Sequence, residues 1–507
     1  MSIPSEHDTR QLVLPLPGVE PTKTNGFGVP RAQRVFTNRD LAMTSIEWIG
    51  FDMDYTLAIY RQEAMDGLSI ELTIDRMIKR GYPAYLKRLS YDTRFPIRGL
   101  VVDKQHGHIL KMDRHKVVHK GYHGMQRLPR ERLVELYQYR RIRPHLERYH
   151  WIDTLFALSE VTSYAAIVDA LEARGEHIDY GRLFRDVRES IDEAHADGTV
   201  YRIVTGDLTR FVERDPELAR TLHKLRSAGK KLFLLTNSPW SYTDAMMTYL
   251  LGGALAEYPS WRHYFEVAIC AAGKPGWFKE GRPLMERDGD QLKGVRAPLE
   301  RGKLYEGGNL RDFERLVDVR GSSVFYVGDH IYGDILRSKK ESSWRTAMII
   351  QELDAEIAAY EACLTDFARQ RQLEEGRERH EDELRFYQTR YKELSRANGN
   401  GPDNPVASRR AAAGQPDGER IRVKRAVDRV RGELRGIDRE HTALSERIDQ
   451  HFHPYWGSLL KEQNEMSMFG LQVDMYADVY TRRVSCLQYY SPQQHYRSPH
   501  DLMPHEL

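Results

Sequence analysis

The chain has 507 residues, 40% of them hydrophobic and 30% charged, enough to bury a sizeable core beneath a polar surface. Lys and Arg number 76 against 74 Asp and Glu, and a formal charge of +2 gives no global field that calls for nucleic acid or an anionic membrane as partner. Three cysteines without metal-ligand spacing (Cys270, Cys363, Cys486) exclude a disulfide framework, no signal-peptide pattern opens the chain, and no apolar run approaches the ~18 residues that span a bilayer, so the expected location is the cytoplasm.

Residues 1–35, rich in Pro, Gly and Thr, read as an irregular arm. The run 46–51 (IEWIGF) ends in Asp52-Met53-Asp54 and predicts a buried strand opening into a loop. An insertion follows over 61–225. Within it, 98–124 alternates β-branched residues with turn signals and predicts hairpins, and 130–228 carries mostly helical periodicity. Three more apolar runs come next. KLFLL (231–235) ends in Thr236-Asn237-Ser238, FEVAIC (265–270) runs into a loop holding Lys274, and SVFYV (323–327) ends in Gly328-Asp329. Four short apolar runs, each finishing in polar residues and separated by helix-like segments, predict an α/β fold. Its core, over 36–60 and 226–350, is a doubly wound, Rossmann-like parallel sheet with its ligand site beyond the carboxyl ends of the strands.

Beyond residue 350 the composition shifts. Residues 351–395 are helix-like and dense in Glu and Arg, and 396–418 has the Gly, Pro, Asn and Ala content of a disordered linker. Val423, Val427, Val430, Leu434, Ile437, Leu444 and Ile448 follow heptad spacing, with His441 at the one seam position that is not apolar. A coiled-coil-like helical hairpin over 351–450 is the expectation. The final segment, 451–507, is rich in aromatics (Tyr476, Tyr480, Tyr489, Tyr490) and is expected to pack on the core.

The chemistry sits at the strand ends. Phosphoryl transfer needs an anionic nucleophile in line with phosphorus, and a second acid that protonates the leaving oxygen and later deprotonates water. Asp52 and Asp54, two residues apart on one loop, can divide those tasks. Thr236, Asn237 and Ser238 offer donors to phosphate oxygens, although Thr-Asn-Ser is equally a helix N-cap pattern. Lys274 supplies a fixed cation, and Asp329 with Asp334 (GDHIYGD) can complete an oxygen-ligand Mg²⁺ site.

This ordered set resembles the haloacid-dehalogenase-like phosphatase superfamily. The resemblance implies a phospho-aspartate on Asp52, Asp54 as acid and base, and Mg²⁺ held by Asp52, the Asp54 backbone carbonyl and Asp329, with Asp334 beside them. Thr236 and Lys274 would bind the phosphoryl group. The strings FDMDYTLAIY (51–60), LLTNSPWSYTDAMMTYLL (234–251), VGDHIYGDILRSKK (327–340) and DLMPHE (501–506) are similar to the cytosolic purine 5′-nucleotidase family. That likeness implies hydrolysis of purine nucleoside monophosphates, with IMP or GMP as best substrate and phosphotransfer to nucleosides compatible with the same site.

It also makes 61–225 an α+β cap that selects the base. Phe156 would stack on it, and Arg188, Asp192 and His195 would face it. Residues 188, 192 and 195 fall on one helix face, which an ordinary Arg–Asp ion pair would satisfy as well. Ala157 stands where the animal enzymes carry asparagine, and Tyr201 where they carry lysine. A homo-oligomer is a further implication, as is a nucleotide effector near Gln472, where Asp153 replaces an expected asparagine. A phosphatase for sugar phosphates, or a non-catalytic coiled-coil scaffold, are the alternatives.

Overall fold

The computed structural model describes residues 28–138, 142–143, 147–289, 291–295, 298–399 and 415–499. Contacts divide the chain into two units. The first comprises Met1–Met65, His195–Leu353 and Gln472–Leu507, the second Asp66–Ala194 and Asp354–Leu471.

The first unit is built on a ten-stranded sheet. Its four central strands are the four apolar runs, side by side in the order Val324–Gly328, Trp48–Phe51, Lys231–Leu235 and Val267–Cys270, all parallel. Arg345–Ile349 and Val479–Thr481 extend the parallel run on one side and Leu304–Gly307 on the other. Antiparallel strands close both edges: Phe36–Thr37 at one, Leu284–Asp288 with Gln291–Gly294 at the other.

A parallel sheet covered on both faces needs strands that are apolar at every position, which is why these runs do not alternate. Along one face Trp48, Phe233, Leu235, Val267, Ile269, Val324 and Tyr326 recur at every second residue and meet Trp277, Phe313 and Trp344 in one aromatic-rich core. Burying such side chains is worth roughly 1.5–3 kcal/mol each. Gly50 is dictated by this packing, since a Cβ there would lie 2.1 Å from the Phe233 ring. The shared direction of the central strands carries Asp52, Thr236, Lys274 and Asp329 to one edge.

The second unit holds a five-stranded antiparallel sheet in the order Gln126–Arg127, Val118–His123, His108–Met112, Leu100–Asp103, Tyr149–Ile152. The hairpins expected over 98–124 form three of these strands. Tyr149–Ile152 interrupts the stretch read as helical; four residues are too few to display an alternation of their own. Helix Leu158–Glu172 belongs to the same unit, as does helix Tyr180–Ala196 up to Ala194.

So do the long helices Leu364–Gly399 and Gln415–Phe452. They pack through Leu373, Leu444 and Ile448, with Phe367, Ile437, Phe452 and Cys363, the residue ahead of the first helix, beside them. Ion pairs Arg369–Glu440, Arg429–Glu383 and Arg447–Asp366 cross between them at 2.6–2.7 Å. Exposed pairs of this kind contribute at most about 1 kcal/mol each, so the apolar seam carries the contact. His441 turns to Glu374, 3.7 Å away. Of the linker expected over 396–418, residues 400–414 lie outside the described residues and the flanks are helical; DLMPHE (501–506) and most of the N-terminal arm lie outside them too. Among the described residues no helix is long and apolar enough to cross a membrane.

Candidate active site

Each catalytic candidate of the first unit owes its place to a strand end. The Asp52 N–H donates to Val327 O at 2.9 Å, continuing the ladder one residue past the strand. The chain then turns sharply, with Thr56, Leu57 and Ala58 N–H all donating to Met53 O and Tyr55 in the left-handed region at φ 54°. A non-glycine residue held there marks a turn that its surroundings over-determine. After Gly328 a wide helical turn, Ile331–Leu336, folds Asp334 back against the strand, where a Cβ on Gly328 would fall 2.6 Å from Asp334 Cβ.

The resulting cluster is buried. Lys274 Nζ lies 2.9 Å from Asp52 Oδ1 and 2.7 Å from Asp334 Oδ1, and donates to Tyr326 Oη at 3.0 Å. One oxygen each of Asp52, Asp329 and Asp334 falls within 4.8 Å of the others. Asp54 turns away from that trio. Its Oδ1 accepts from Tyr60 Oη at 2.5 Å and its Oδ2 from Ser238 Oγ at 2.7 Å. Thr236 Oγ1 accepts the Ser238 N–H at 3.1 Å and so keeps its own proton to give. Asn237 clamps the lysine loop from both sides: its amide nitrogen donates to Lys274 O at 2.9 Å, and its carbonyl oxygen accepts from the Lys274 N–H at 2.6 Å.

Burial pushes the Asp52 carboxyl well above the usual range; Lys274 pulls it down, while Asp334, Asp54 and Asp329 push it further up. Burial works against the Lys274 charge too, but Asp334 and Asp52 outweigh it and the ammonium stays protonated. Burial also raises Asp54, against the hydrogen bonds from Tyr60 and Ser238. Three buried carboxyls, with half-buried Asp54 nearby, have one ammonium among them and therefore lack positive charge. A hard divalent cation with oxygen preference fits Asp52, Asp329 and Asp334, and Mg²⁺ is the natural candidate. The Asp54 side chain is outside this set, which leaves its backbone carbonyl as the group it could offer.

The base-facing candidates divide between the units. His195 begins a segment of the first unit and sits 6.2 Å, ring to ring, from Tyr201. Tyr201 packs on Tyr242 at 4.6 Å. Phe156, Arg188 and Asp192 belong to the second unit. Arg188 Nε stands 3.8 Å from Asp192 Oδ2, the intrahelical pair that the spacing allows, and Arg188 Nη1 lies 2.6 Å from His150 Nε2 and 3.8 Å from Glu160 Oε2.

Glu160, His150, Tyr60, Tyr242 and Tyr326 are groups that sequence reasoning did not single out. Tyr60 and Tyr242 lie inside strings already quoted, FDMDYTLAIY and LLTNSPWSYTDAMMTYLL, but only folding reveals what they touch.

Burial lifts the Glu160 carboxyl from 4.5 to about 7, and Arg188 only partly offsets it. A carboxyl raised on folding contributes stability that is fully present below its unfolded value near 4.5 and is lost as pH rises through about 7. Ionising it costs on the order of 3 kcal/mol. Glu160→Gln is therefore expected to raise the thermal midpoint at pH 8 and leave it nearly unchanged at pH 5. Equal shifts at both values would mean that the carboxyl is ionised throughout.

Comparison with known proteins follows the same lines. The 5′ nucleotidase family profile matches residues 35–507. The human 5′-nucleotidase domain-containing protein 2 is 34% identical over 343 residues, 64% of each chain, so the match spans slightly under two thirds of that relative. A 5′-nucleotidase domain-containing protein of Dictyostelium discoideum is 28% identical over 486 residues, 94% of this chain and 75% of its own. Among solved structures, one described as a predicted phosphoglycolate phosphatase from Haemophilus somnus covers 61% of this chain and 86% of its own. At 15% identity and a TM-score of 0.25, that likeness is too loose to bear on function.

Proposed function

The chain belongs to the 5′ nucleotidase family, and from that premise we propose that it is a Mg²⁺-dependent phosphohydrolase releasing phosphate from purine nucleoside 5′-monophosphates, IMP or GMP before AMP. The observation that carries this reading is the buried group Asp52, Lys274, Asp329 and Asp334, with half-buried Asp54 on the same loop as Asp52, at the carboxyl edge of one parallel sheet. A carboxylate oxygen of Asp52 attacks phosphorus, forming the aspartyl phosphate as the bond to the 5′-oxygen breaks. Asp54 delivers the proton that the leaving alkoxide needs. Water, deprotonated by the same Asp54, then attacks phosphorus, frees Asp52 and leaves as part of phosphate.

Lys274 and the Thr236 hydroxyl stabilise charge on the phosphoryl oxygens. Asn237 keeps the lysine loop in place. Mg²⁺, held by Asp52, Asp329, Asp334 and the Asp54 carbonyl, would supply charge neutralisation and orientation.

The proposal extends to the cap over 61–225. There Phe156 stacks on the base and Arg188 with Asp192 reads a 6-oxopurine edge, a donor for O6 and an acceptor for the ring N–H, with His195 beside them. Tyr201, in place of lysine, puts a neutral group where the animal enzymes carry a cation and bears on affinity more than on chemistry. A cytoplasmic homo-oligomer, a coiled-coil role for the long helices, transfer of the phosphoryl group to a nucleoside, and a nucleotide effector near Gln472 complete the reading.

The test is phosphate release from IMP, GMP, AMP, CMP and glucose 6-phosphate, each with and without added ATP. Preference for IMP or GMP by at least about tenfold over CMP is expected, on the scale of one or two lost base contacts. Preference for the sugar phosphate would leave the catalytic group standing and remove the base-reading role of the cap.

A further inference from the structure

Asp54 is gripped at both oxygens, and the grip on Oδ1 has its own support. The Tyr60 hydroxyl that donates to it also meets Tyr242 Oη at 2.8 Å. Tyr60 is paired in a short ladder with Val212, and its ring lies 4.9 Å from that of Tyr55. Tyr60 and Tyr242 are 4% and 3% exposed, and the Tyr201 ring packs behind Tyr242. Rotation about the terminal torsion of an aspartate is soft, so a carboxyl on a loop holds one plane only if its partners impose it. Two buried hydroxyls that must satisfy each other and a carboxylate leave few arrangements.

Building on the phosphohydrolase reading above, we infer that Tyr60, backed by Tyr242, is a positioning residue that sets the carboxyl plane of Asp54 for proton delivery to the leaving oxygen. The consequence depends on the leaving group. A nucleoside 5′-oxygen departs as a basic alkoxide and needs its proton in the transition state, whereas p-nitrophenolate is stable without one. A misaligned donor therefore slows cleavage of the first ester and spares the second. A merely structural lesion slows both.

The experiment compares kcat/KM of Tyr60→Phe and wild type, with Mg²⁺, on IMP and on p-nitrophenyl phosphate. This ratio reads only as far as phosphorylation of Asp52, so the later use of Asp54 as a base does not enter. The expected result is a loss of about tenfold or more on IMP, carried by kcat with KM unchanged, and less than about twofold on p-nitrophenyl phosphate. Tyr242→Phe is expected to act in the same direction more weakly, and it serves as the test if Tyr60→Phe does not fold. Equal losses on the two esters, or no loss on IMP, would overturn the positioning role. Failure of the underlying reading shows in the wild type instead: no release from either ester overturns both claims.

Discussion

Replacing Asp52 by asparagine is expected to cut phosphate release at least about 10⁴-fold, the scale on which removal of a covalent nucleophile acts. The loss should fall on kcat, since the amide keeps the shape of the carboxylate but cannot form the acyl phosphate. Stability should not follow activity down. Asp52 is one of three buried carboxyls, and its ionised form is disfavoured first by burial and then by Asp334, Asp54 and Asp329. A neutral isostere relieves that repulsion. Lys274 loses its 2.9 Å partner but keeps Asp334 at 2.7 Å. The thermal midpoint of Asp52→Asn, measured without divalent cation, is therefore expected to match or exceed that of the wild type. A variant that lost activity and melted many degrees lower would instead make Asp52 the structural counterion of Lys274, and a variant that kept activity would place the nucleophile elsewhere.

The parts of this site that were legible in the sequence share one physical cause. A parallel strand buried on both faces is a short apolar run, so Trp48–Phe51, Lys231–Leu235, Val267–Cys270 and Val324–Gly328 stand out from a polar chain. The residues ending them are where backbone leaves the sheet and side chains are released from its packing. Tyr60, Tyr242 and Tyr326 were illegible because no spacing rule connects them to Asp54 or Lys274; the fold alone does. Glu160 reads as an ordinary acid in the first turn of a helix, and only packing makes it a buried carboxyl. Asn237 shows the limit of reading residue types. Its amide suits a phosphate oxygen, yet it is spent on both main-chain groups of Lys274. Tyr149–Ile152 was missed because a four-residue edge strand carries less pattern than the helices on either side.

Stripping divalent cations is expected to stop turnover, and to lower the thermal midpoint by several degrees relative to protein in saturating Mg²⁺. The two effects have one source. Among the described residues of the site, Asp52 and Asp334 share the ammonium of Lys274, and Asp52, Asp329 and Asp334 each bring an oxygen within 4.8 Å of the others. A ligand that binds only the folded state adds about 2.7 kcal/mol at a hundredfold excess over its dissociation constant, and in a domain of this size each kcal/mol moves the midpoint by about 2–4 °C.

Asp329→Asn separates cation binding from folding. It takes a carboxylate from the trio and leaves both Lys274 ion pairs in place, so the Mg²⁺-dependent rise should shrink or vanish while the cation-free midpoint holds or increases. Asp334→Asn is the less clean choice, because Asp334 also accepts from Lys274 and from Tyr326 Oη, 3.3 Å away, and its loss would disturb the lysine directly. Turnover that persists in chelator, with a midpoint indifferent to Mg²⁺, would mean that Lys274 alone balances the phosphoryl charge, and the acid trio would then need another explanation.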